Sequence, residues 1–283
     1  MSRFTSTLTG GIAITVRTPD LSSAPAIILC HGFCGIQDIL LPAFAEAFTH
    51  AGFTTITFDY RGFGASGGEQ GRLVPAMQID DIVTVIDWAI SQPDIAGVGL
   101  WGTSFGGCHI FAAAARRLAV RCVVSQLGFA DGEAVVTGHL SAEEKIGFIA
   151  TLDKMAAKKA ATGKEMFVAV TRVLNDNQSK AFFDRHKTKF PAMDIKIPFL
   201  TIRETLNYRP AENARRVACP TLVIVAGEDR VNPPEQGIAL FEAVAAKEKK
   251  LHIEAEAEHY ALYSGPHFDN VVRLQIDWYK NWL

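Results

Sequence analysis

Short apolar runs rich in β-branched residues alternate along the chain with longer stretches in which apolar residues recur every three to four positions. The short runs lie at residues 12–17, 26–30, 54–58, 97–101, 122–126, 221–226 and 251–254. Several are continuously apolar, which is typical of strands that are covered on both faces. Their alternation with helices predicts a mostly parallel sheet that is flanked by helices on both sides.

One region interrupts this alternation. The helical pattern is clear at residues 41–50, 75–91, 108–118 and 268–283, but residues 131–209 contain several amphipathic helical stretches and no convincing strand. We therefore expect a helical cap at 131–209, inserted into an α/β core that comprises 1–130 and 210–283.

Charge and composition narrow the function classes. The chain has 28 Lys and Arg against 30 Asp and Glu, a formal net charge of −2. With no long basic run, this balance gives no electrostatic reason to expect nucleic acid or an anionic membrane surface as a partner. No segment has the ~18 apolar residues of a membrane span, and the N-terminus has no apolar signal region, so we expect a cytoplasmic protein. A small-molecule substrate is the expected partner, and a homodimer is left open.

The five cysteines favour reduced thiols over a disulfide framework. Their number is odd, and Cys30, Cys122 and Cys219 lie in or beside apolar runs. No CxxC pair suggests a zinc or redox site, and we expect neither a metal nor an organic cofactor.

The strongest chemical signal is the segment GTSFGG at 102–107, which follows a predicted strand and precedes a helix. In G-x-S-x-G, the glycines allow a sharp strand-to-helix turn that exposes the serine hydroxyl. Ser104 is therefore the candidate nucleophile. The Phe105 amide, at the start of the helix, is a candidate donor to an oxyanion. The alternative is a glycine-rich turn that serves only helix packing.

A serine nucleophile needs a base, and the base needs an orienting carboxylate. His259 follows the last predicted strand and precedes the C-terminal helix, which makes it the candidate base among eight histidines. Asp229 lies in the polar turn after the strand at 221–226 and is the favoured acid, while Glu228 and Asp131 are its competitors. The order serine, acid, histidine is the one found when the nucleophile lies on such a strand-to-helix turn.

The loop after the strand at 26–30 supplies a second candidate oxyanion donor. Gly32 allows the backbone to turn so that the Phe33 amide can face the nucleophile. We expect His31 to be a structural hydrogen-bonding residue beneath this loop. Cys34 and Cys108 flank the site in sequence, but neither occupies the nucleophile position.

The glycine-rich segment at 58–68 follows a strand but does not match a phosphate-binding loop. Such a loop leads directly into its helix, whereas residues 69–74 intervene here, and no GK[ST] follows. We expect Asp59 and Arg61 to hold this loop together by hydrogen bonds.

In order along the chain, HGF (31–33), FDYRGFGASGG (58–68), GTSFGG (102–107), GEDRVNPP (227–234) and EHYALY (258–263) resemble the α/β-hydrolase superfamily. The segments GIQDILLPAFA (35–45) and YRPAE (208–212) are similar to a subgroup that includes thiohydrolases, polyketide transferases, and X-Pro peptidase-like and acetyl xylan esterase-like enzymes. The resemblance implies an eight-stranded sheet, a Ser104–His259–Asp229 triad and a cap that shapes the pocket. Relatives with dehalogenase or epoxide hydrolase chemistry carry a carboxylate where this chain has Ser104.

We therefore expect a hydrolase that cleaves a carboxylic ester or thioester through an acyl-enzyme. Hydrolysis of a carbon–carbon bond, acyl transfer to an alcohol or amine, and ligand binding on a hydrolase scaffold are the alternatives. The substrate-binding residues are unknown from the sequence. Apolar side chains of the expected cap either pack its helices or line a pocket for a small to medium hydrophobic acyl group, namely Phe148, Ile149, Met155, Met166, Phe167, Phe182, Phe183 and Phe190.

Overall fold

The computed structural model describes residues 1–283 and contains ten strands and ten α-helices. The strands are β1 (Ser2–Leu8), β2 (Ile12–Thr18), β3 (Ala24–Cys30), β4 (Thr54–Phe58), β5 (Ile95–Thr103), β6 (Val120–Gln126), β7 (Phe167–Ala169), β8 (Lys196–Pro198), β9 (Thr221–Ala226) and β10 (Lys249–Glu254). The helices are α1 (Leu41–His50), α2 (Pro75–Ile90), α3 (Phe105–Arg116), α4 (Gly132–Thr137), α5 (Ala142–Thr162), α6 (Asn177–His186), α7 (Thr201–Leu206), α8 (Pro210–Ala214), α9 (Pro234–Ala243) and α10 (Gly265–Trp282). No helix is both long and apolar enough to cross a membrane.

Eight strands form one sheet in the order β1-β2-β4-β3-β5-β6-β9-β10, which confirms the predicted fold class. Only β2 runs antiparallel to its neighbours, β1 and β4. The other pairs are parallel, so the carboxyl ends of β3, β5, β6, β9 and β10 meet at one edge of the sheet. The loops that carry the candidate site residues leave from this edge.

Both faces of the sheet are buried, as the continuous apolar runs predict. Along β3, Ile28 belongs to the core cluster that includes residues of α2, α3 and α9, whereas Ile27 and Leu29 belong to the cluster that includes residues of α1 and α10. Successive side chains of a strand point to opposite faces, so a strand between two helical layers needs apolar residues at every position.

The apolar runs missed three of the ten strands. The strand β1 was not predicted because it lies at the sheet edge and nearly all of its residues are exposed, so it has no apolar run. Residues 131–209 contain a two-stranded sheet of β7 and β8 as well as helices. Each of these strands has only three residues, which is too short for a periodic pattern to show.

The intervening segment, residues 131–209, leaves the sheet after β6 and returns before β9. Its longest helix, α5, begins with a capping box between Ser141 and Glu144 and ends at Gly163, whose φ of 69° suits a helix C-terminus. Only Leu152 of α5 is buried. Packing against the rest of the molecule therefore involves a narrow stripe of this helix.

Candidate active site

Ser104 occupies a strained turn between β5 and α3. Its φ of 54° and ψ of −120° lie outside the regions that a residue with a side chain usually adopts. A Cβ on Gly102 would come within 2.3 Å of the Gly106 carbonyl oxygen, and one on Gly106 within 2.3 Å of the Cys30 carbonyl oxygen. Only glycine fits at either position. The helix begins at Phe105, three residues earlier than expected, so Ser104 immediately precedes it.

Asp229 and His259 are brought together by the turns after β9 and β10. Asp229 Oδ2 lies 2.7 Å from His259 Nδ1, and both residues are buried. The other carboxylate oxygen, Oδ1, accepts hydrogen bonds from the backbone N–H groups of Val231 and Asn232, each at 2.8 Å. A carboxylate only accepts, so the imidazole carries its proton on Nδ1. The Nε2 atom is left to accept a proton.

Ser104 and His259 line the same cavity, but the structure shows no hydrogen bond between them. The Ser104 hydroxyl oxygen instead accepts a hydrogen bond from Asn232 Nδ2 at 3.3 Å. Catalytic hydrogen bonds are often long or absent until substrate is bound. Asn232 was not predicted as a site residue. The one signal for it in the sequence is its place three residues after the candidate acid.

The two candidate oxyanion donors also lie on this cavity. The Phe33 N–H donates no hydrogen bond. Phe105 is the first residue of α3, where an N–H has no partner within the helix and the helix dipole favours negative charge. A Cβ on Gly32 would come within 3.0 Å of Ser104 Cβ, so glycine allows the β3–α1 loop to approach Ser104.

The competing side chains have other partners. Asp131 caps α4 through the Ala134 N–H and pairs with Arg209 at 3.2 Å. His31 Nε2 donates to the Ile39 carbonyl at 3.0 Å, and burial lowers the pKa of His31 to about 4, so this histidine is a neutral structural residue as expected. Burial also raises the pKa of the Cys34 and Cys108 thiols, which keeps them protonated.

The glycine-rich loop after β4 is held by two carboxylates. Asp59 accepts hydrogen bonds from the N–H groups of Gln37 and Ala65, and Arg61 pairs with Asp81 of α2. Both residues thus tie this loop to neighbouring elements. No three His, Cys, Asp or Glu side chains form a group that could hold a metal ion.

The cavity has a volume of about 850 Å³ and is lined by both the sheet edge and the intervening segment. Of its 36 lining residues, 20 are hydrophobic. Phe148, Phe182 and Phe183 of the intervening segment contribute, whereas the other apolar candidates from that segment do not. Phe182 stacks on Tyr260 with ring centres 4.4 Å apart, which places α6 against the residue that follows His259. The cavity therefore combines an apolar wall with a few polar groups around Ser104.

The family model described as alpha/beta hydrolase fold matches residues 25–266. The chain belongs to this family. It is 59% identical over 279 residues to an uncharacterized 31.7 kDa protein of Escherichia coli from the traX-finO intergenic region, with 98% of each chain covered. It is 25% identical to the thiohydrolase aneE of Aspergillus aculeatus, covering 90% of this chain and 85% of that one.

Solved structures support the same α/β-hydrolase fold. The α/β hydrolase GrgF from Penicillium sp. superposes with a TM-score of 0.80, at 21% identity and with 99% and 98% of the two chains covered. Identity this low shows the fold alone. The α/β-hydrolase fold therefore rests on the family match and on the sheet order together.

Proposed function

We propose that this α/β hydrolase uses Ser104, His259 and Asp229 to cleave an ester or thioester. The observation that carries the proposal is the 2.7 Å contact between Asp229 Oδ2 and His259 Nδ1 on the cavity that Ser104 also lines. This contact orients Nε2 as a base for a hydroxyl that the strained turn exposes.

In the proposed mechanism, His259 Nε2 takes the Ser104 proton while Oγ bonds to the substrate carbonyl carbon. The Phe33 and Phe105 amides bind the resulting oxyanion, and Asp229 stabilises the imidazolium. The tetrahedral intermediate then collapses: the bond to the alcohol or thiol breaks, and His259 returns the proton to that leaving group. A water molecule subsequently releases the acyl group as a carboxylic acid.

We propose that residues 131–209 act as a cap and that the acyl group is hydrophobic. The part of the cavity wall that this segment forms includes Phe148, Phe182 and Phe183, and burial of each methylene of an acyl chain against such a wall contributes about 0.8 kcal/mol. The similarity to a protein named a thiohydrolase supports thioesters alongside esters.

The proposal is tested by intact mass after treatment with a fluorophosphonate, with Ser104→Ala as the matched variant. We expect a single adduct on the wild type and none on Ser104→Ala. Untreated wild-type protein would then be assayed with p-nitrophenyl esters and acyl thioesters of increasing chain length, with product analysis to separate hydrolysis from acyl transfer. A folded wild type that takes no adduct would contradict the proposal and favour a ligand-binding protein.

A further inference from the structure

We propose that the side-chain amide of Asn232 is a catalytic hydrogen-bond donor to the Ser104 hydroxyl oxygen and acts chiefly when the acyl group leaves the enzyme. The inference rests on the proposed function, since it assigns a step within the same acyl-enzyme cycle. Its basis is the hydrogen bond from Asn232 Nδ2 to Ser104 Oγ at 3.3 Å, the one hydrogen bond that this hydroxyl makes in the structure.

The surroundings of Asn232 fix the orientation of its amide. Nδ2 also donates to the Leu127 carbonyl oxygen at 2.7 Å, and because a carbonyl only accepts, the nitrogen and not the oxygen must face it. The backbone N–H of Asn232 donates to Asp229 Oδ1 at 2.8 Å, and the residue is 6% exposed. The second hydrogen on Nδ2 is therefore directed at Ser104 Oγ.

This hydrogen bond is compatible with general-base catalysis. A hydroxyl can accept a hydrogen bond on its oxygen while it donates its own proton to another group. Ser104 Oγ can thus accept from Asn232 while its hydrogen points to His259 Nε2.

The strength of the hydrogen bond changes during the reaction. It is moderate for a hydroxyl, weakest for the bridging oxygen of the acyl-enzyme ester, and strongest when Oγ carries negative charge in a transition state. Only an interaction that is stronger in the transition state than in the preceding ground state accelerates a step. Because the ester is the poorer acceptor, Asn232 accelerates acyl release more than acyl transfer onto Ser104.

Release of the acyl group takes place in two steps. Water bonds to the acyl carbon and gives a proton to His259 Nε2. The bond between the acyl carbon and Ser104 Oγ then breaks, its electron pair goes to Oγ, and His259 returns the proton to that oxygen. The products are a carboxylic acid and free serine. Asn232 Nδ2 stabilises Oγ while the electron pair arrives.

The test compares Asn232→Ala and Asn232→Asp with the wild type and with Asn281→Ala, a matched control at an exposed position near the C-terminus of α10. Active sites are first counted by fluorophosphonate titration of a separate portion of each protein. Rapid mixing with p-nitrophenyl butyrate then measures the burst, which reports acylation, and the later phase, which reports release. Mass spectrometry of acid-quenched samples then measures the fraction of protein that is present as the acyl-enzyme.

For Asn232→Ala we expect the rate of acyl release to fall by about tenfold or more and the rate of acylation to fall by no more than about threefold. Both effects should be smaller than the effect of losing a full oxyanion donor, because the contact between Asn232 Nδ2 and Ser104 Oγ is long. Asn232→Asp should behave alike, since a carboxylate of the same shape cannot donate. Both variants should accumulate acyl-enzyme during turnover, and Asn281→Ala should not.

Two outcomes would overturn the inference and leave Asn232 with only a structural role, its hydrogen bond to the Leu127 carbonyl. In the first, the rates per titrated site stay at the wild-type values. In the second, the variants no longer unfold cooperatively. Equal slowing of acylation and release would overturn it as well. Absence of labelling on the wild type would instead refute the proposed function.

Discussion

At the scale of single residues, the candidate acid performs two tasks with two oxygen atoms. Asp229 Oδ1 closes its own turn by accepting from Val231 and Asn232, while Oδ2 is bonded to His259. The turn and the imidazole are therefore positioned by the same carboxylate. This arrangement predicts how an isosteric amide would behave.

For Asp229→Asn we expect kcat to fall by about 10⁴-fold. The amide oxygen would remain bonded to the two backbone N–H groups, so its NH₂ group would face His259 Nδ1. The imidazole would then have to carry its proton on Nε2, where it could not accept the Ser104 proton. Steady-state kinetics with a p-nitrophenyl ester measures the effect, and urea unfolding should show an unchanged midpoint.

The control is Asp131→Asn, because Asp131 was the competing candidate for the acid. Its carboxylate is engaged with Ala134 and Arg209 instead of His259. We expect near-wild-type kcat for this variant. A large loss of kcat for Asp131→Asn together with a small loss for Asp229→Asn would identify Asp131 as the acid and contradict the assignment of Asp229.

At the scale of elements, the candidate oxyanion site depends on how closely two turns approach each other. The β3–α1 loop and the β5–α3 turn leave neighbouring parallel strands at the same sheet edge. Gly32 lies where the two turns approach each other, and an added Cβ would be 3.0 Å from Ser104 Cβ and 3.2 Å from the Thr103 carbonyl oxygen. A methyl group there would push the Phe33 amide away from Ser104.

Gly32→Ala should therefore lower kcat by about 10²-fold, as expected when one oxyanion donor is lost. Steady-state kinetics at saturating ester would measure kcat, and fluorophosphonate labelling would report the reactivity of Ser104. Thermal unfolding would check that the variant is folded. Gly147→Ala is the matched control: this glycine lies within α5, and beyond its chain neighbours and the backbone of its own helix no atom lies within 4 Å of an added Cβ. It should keep full activity and gain about 0.5–1 kcal/mol of stability, because alanine is the better helix former. Equal activities of the two variants would contradict the assignment of Phe33.

At the scale of the whole molecule, the intervening segment is joined to the α/β core by a buried carboxylate. Glu165, just after α5, lies 2.8 Å from Arg72 in the loop before α2 and 2.7 Å from Lys159 of α5. Its side chain is only 5% exposed. Burial alone would raise the pKa of Glu165, but the hydrogen bonds from Lys159 and Arg72 outweigh burial and lower it.

Glu165→Gln should lower the free energy of unfolding at pH 7 by roughly 1–3 kcal/mol, since it weakens a buried, charge-assisted contact. Because the folded state favours the ionised form, this contribution is complete above the ordinary glutamate pKa of about 4.3 and is lost as the pH falls below it. Urea unfolding at a series of pH values should show the wild type and the variant converging in acid. The control is Glu242→Gln, because the Glu242 side chain is exposed and makes no ion pair. Its free energy of unfolding should match that of the wild type at every pH. A difference that does not depend on pH would contradict the ion-pair explanation.

Much of the fold was predictable because it is written in local patterns. The apolar runs predicted the central strands, and the glycines around Ser104 predicted a turn whose crowding the structure explains. The family and fold predictions are confirmed. The roles of Ser104, Asp229, His259, Phe33 and Phe105 stay predictions, as do the cap boundaries and the homodimer.

The features that were missed have no local signature. β1 is an exposed edge strand, and β7 and β8 are held together by pairing across 26 or more residues of chain. Asn232 could not be singled out because its partners, Ser104 and Leu127, are more than 100 positions away. Contacts of this kind arise only when the strand ends are assembled.

The sequence by itself determined the alternation of strands and helices, the strained serine turn and the order of the candidate nucleophile, acid and base, because each depends on neighbouring residues. The tertiary structure decided which carboxylate meets His259, which amide holds the Ser104 hydroxyl and which aromatic side chains face the cavity. These outcomes depend on the distance and direction between side chains on different elements. Such distances are set by the register and packing of the sheet as a whole.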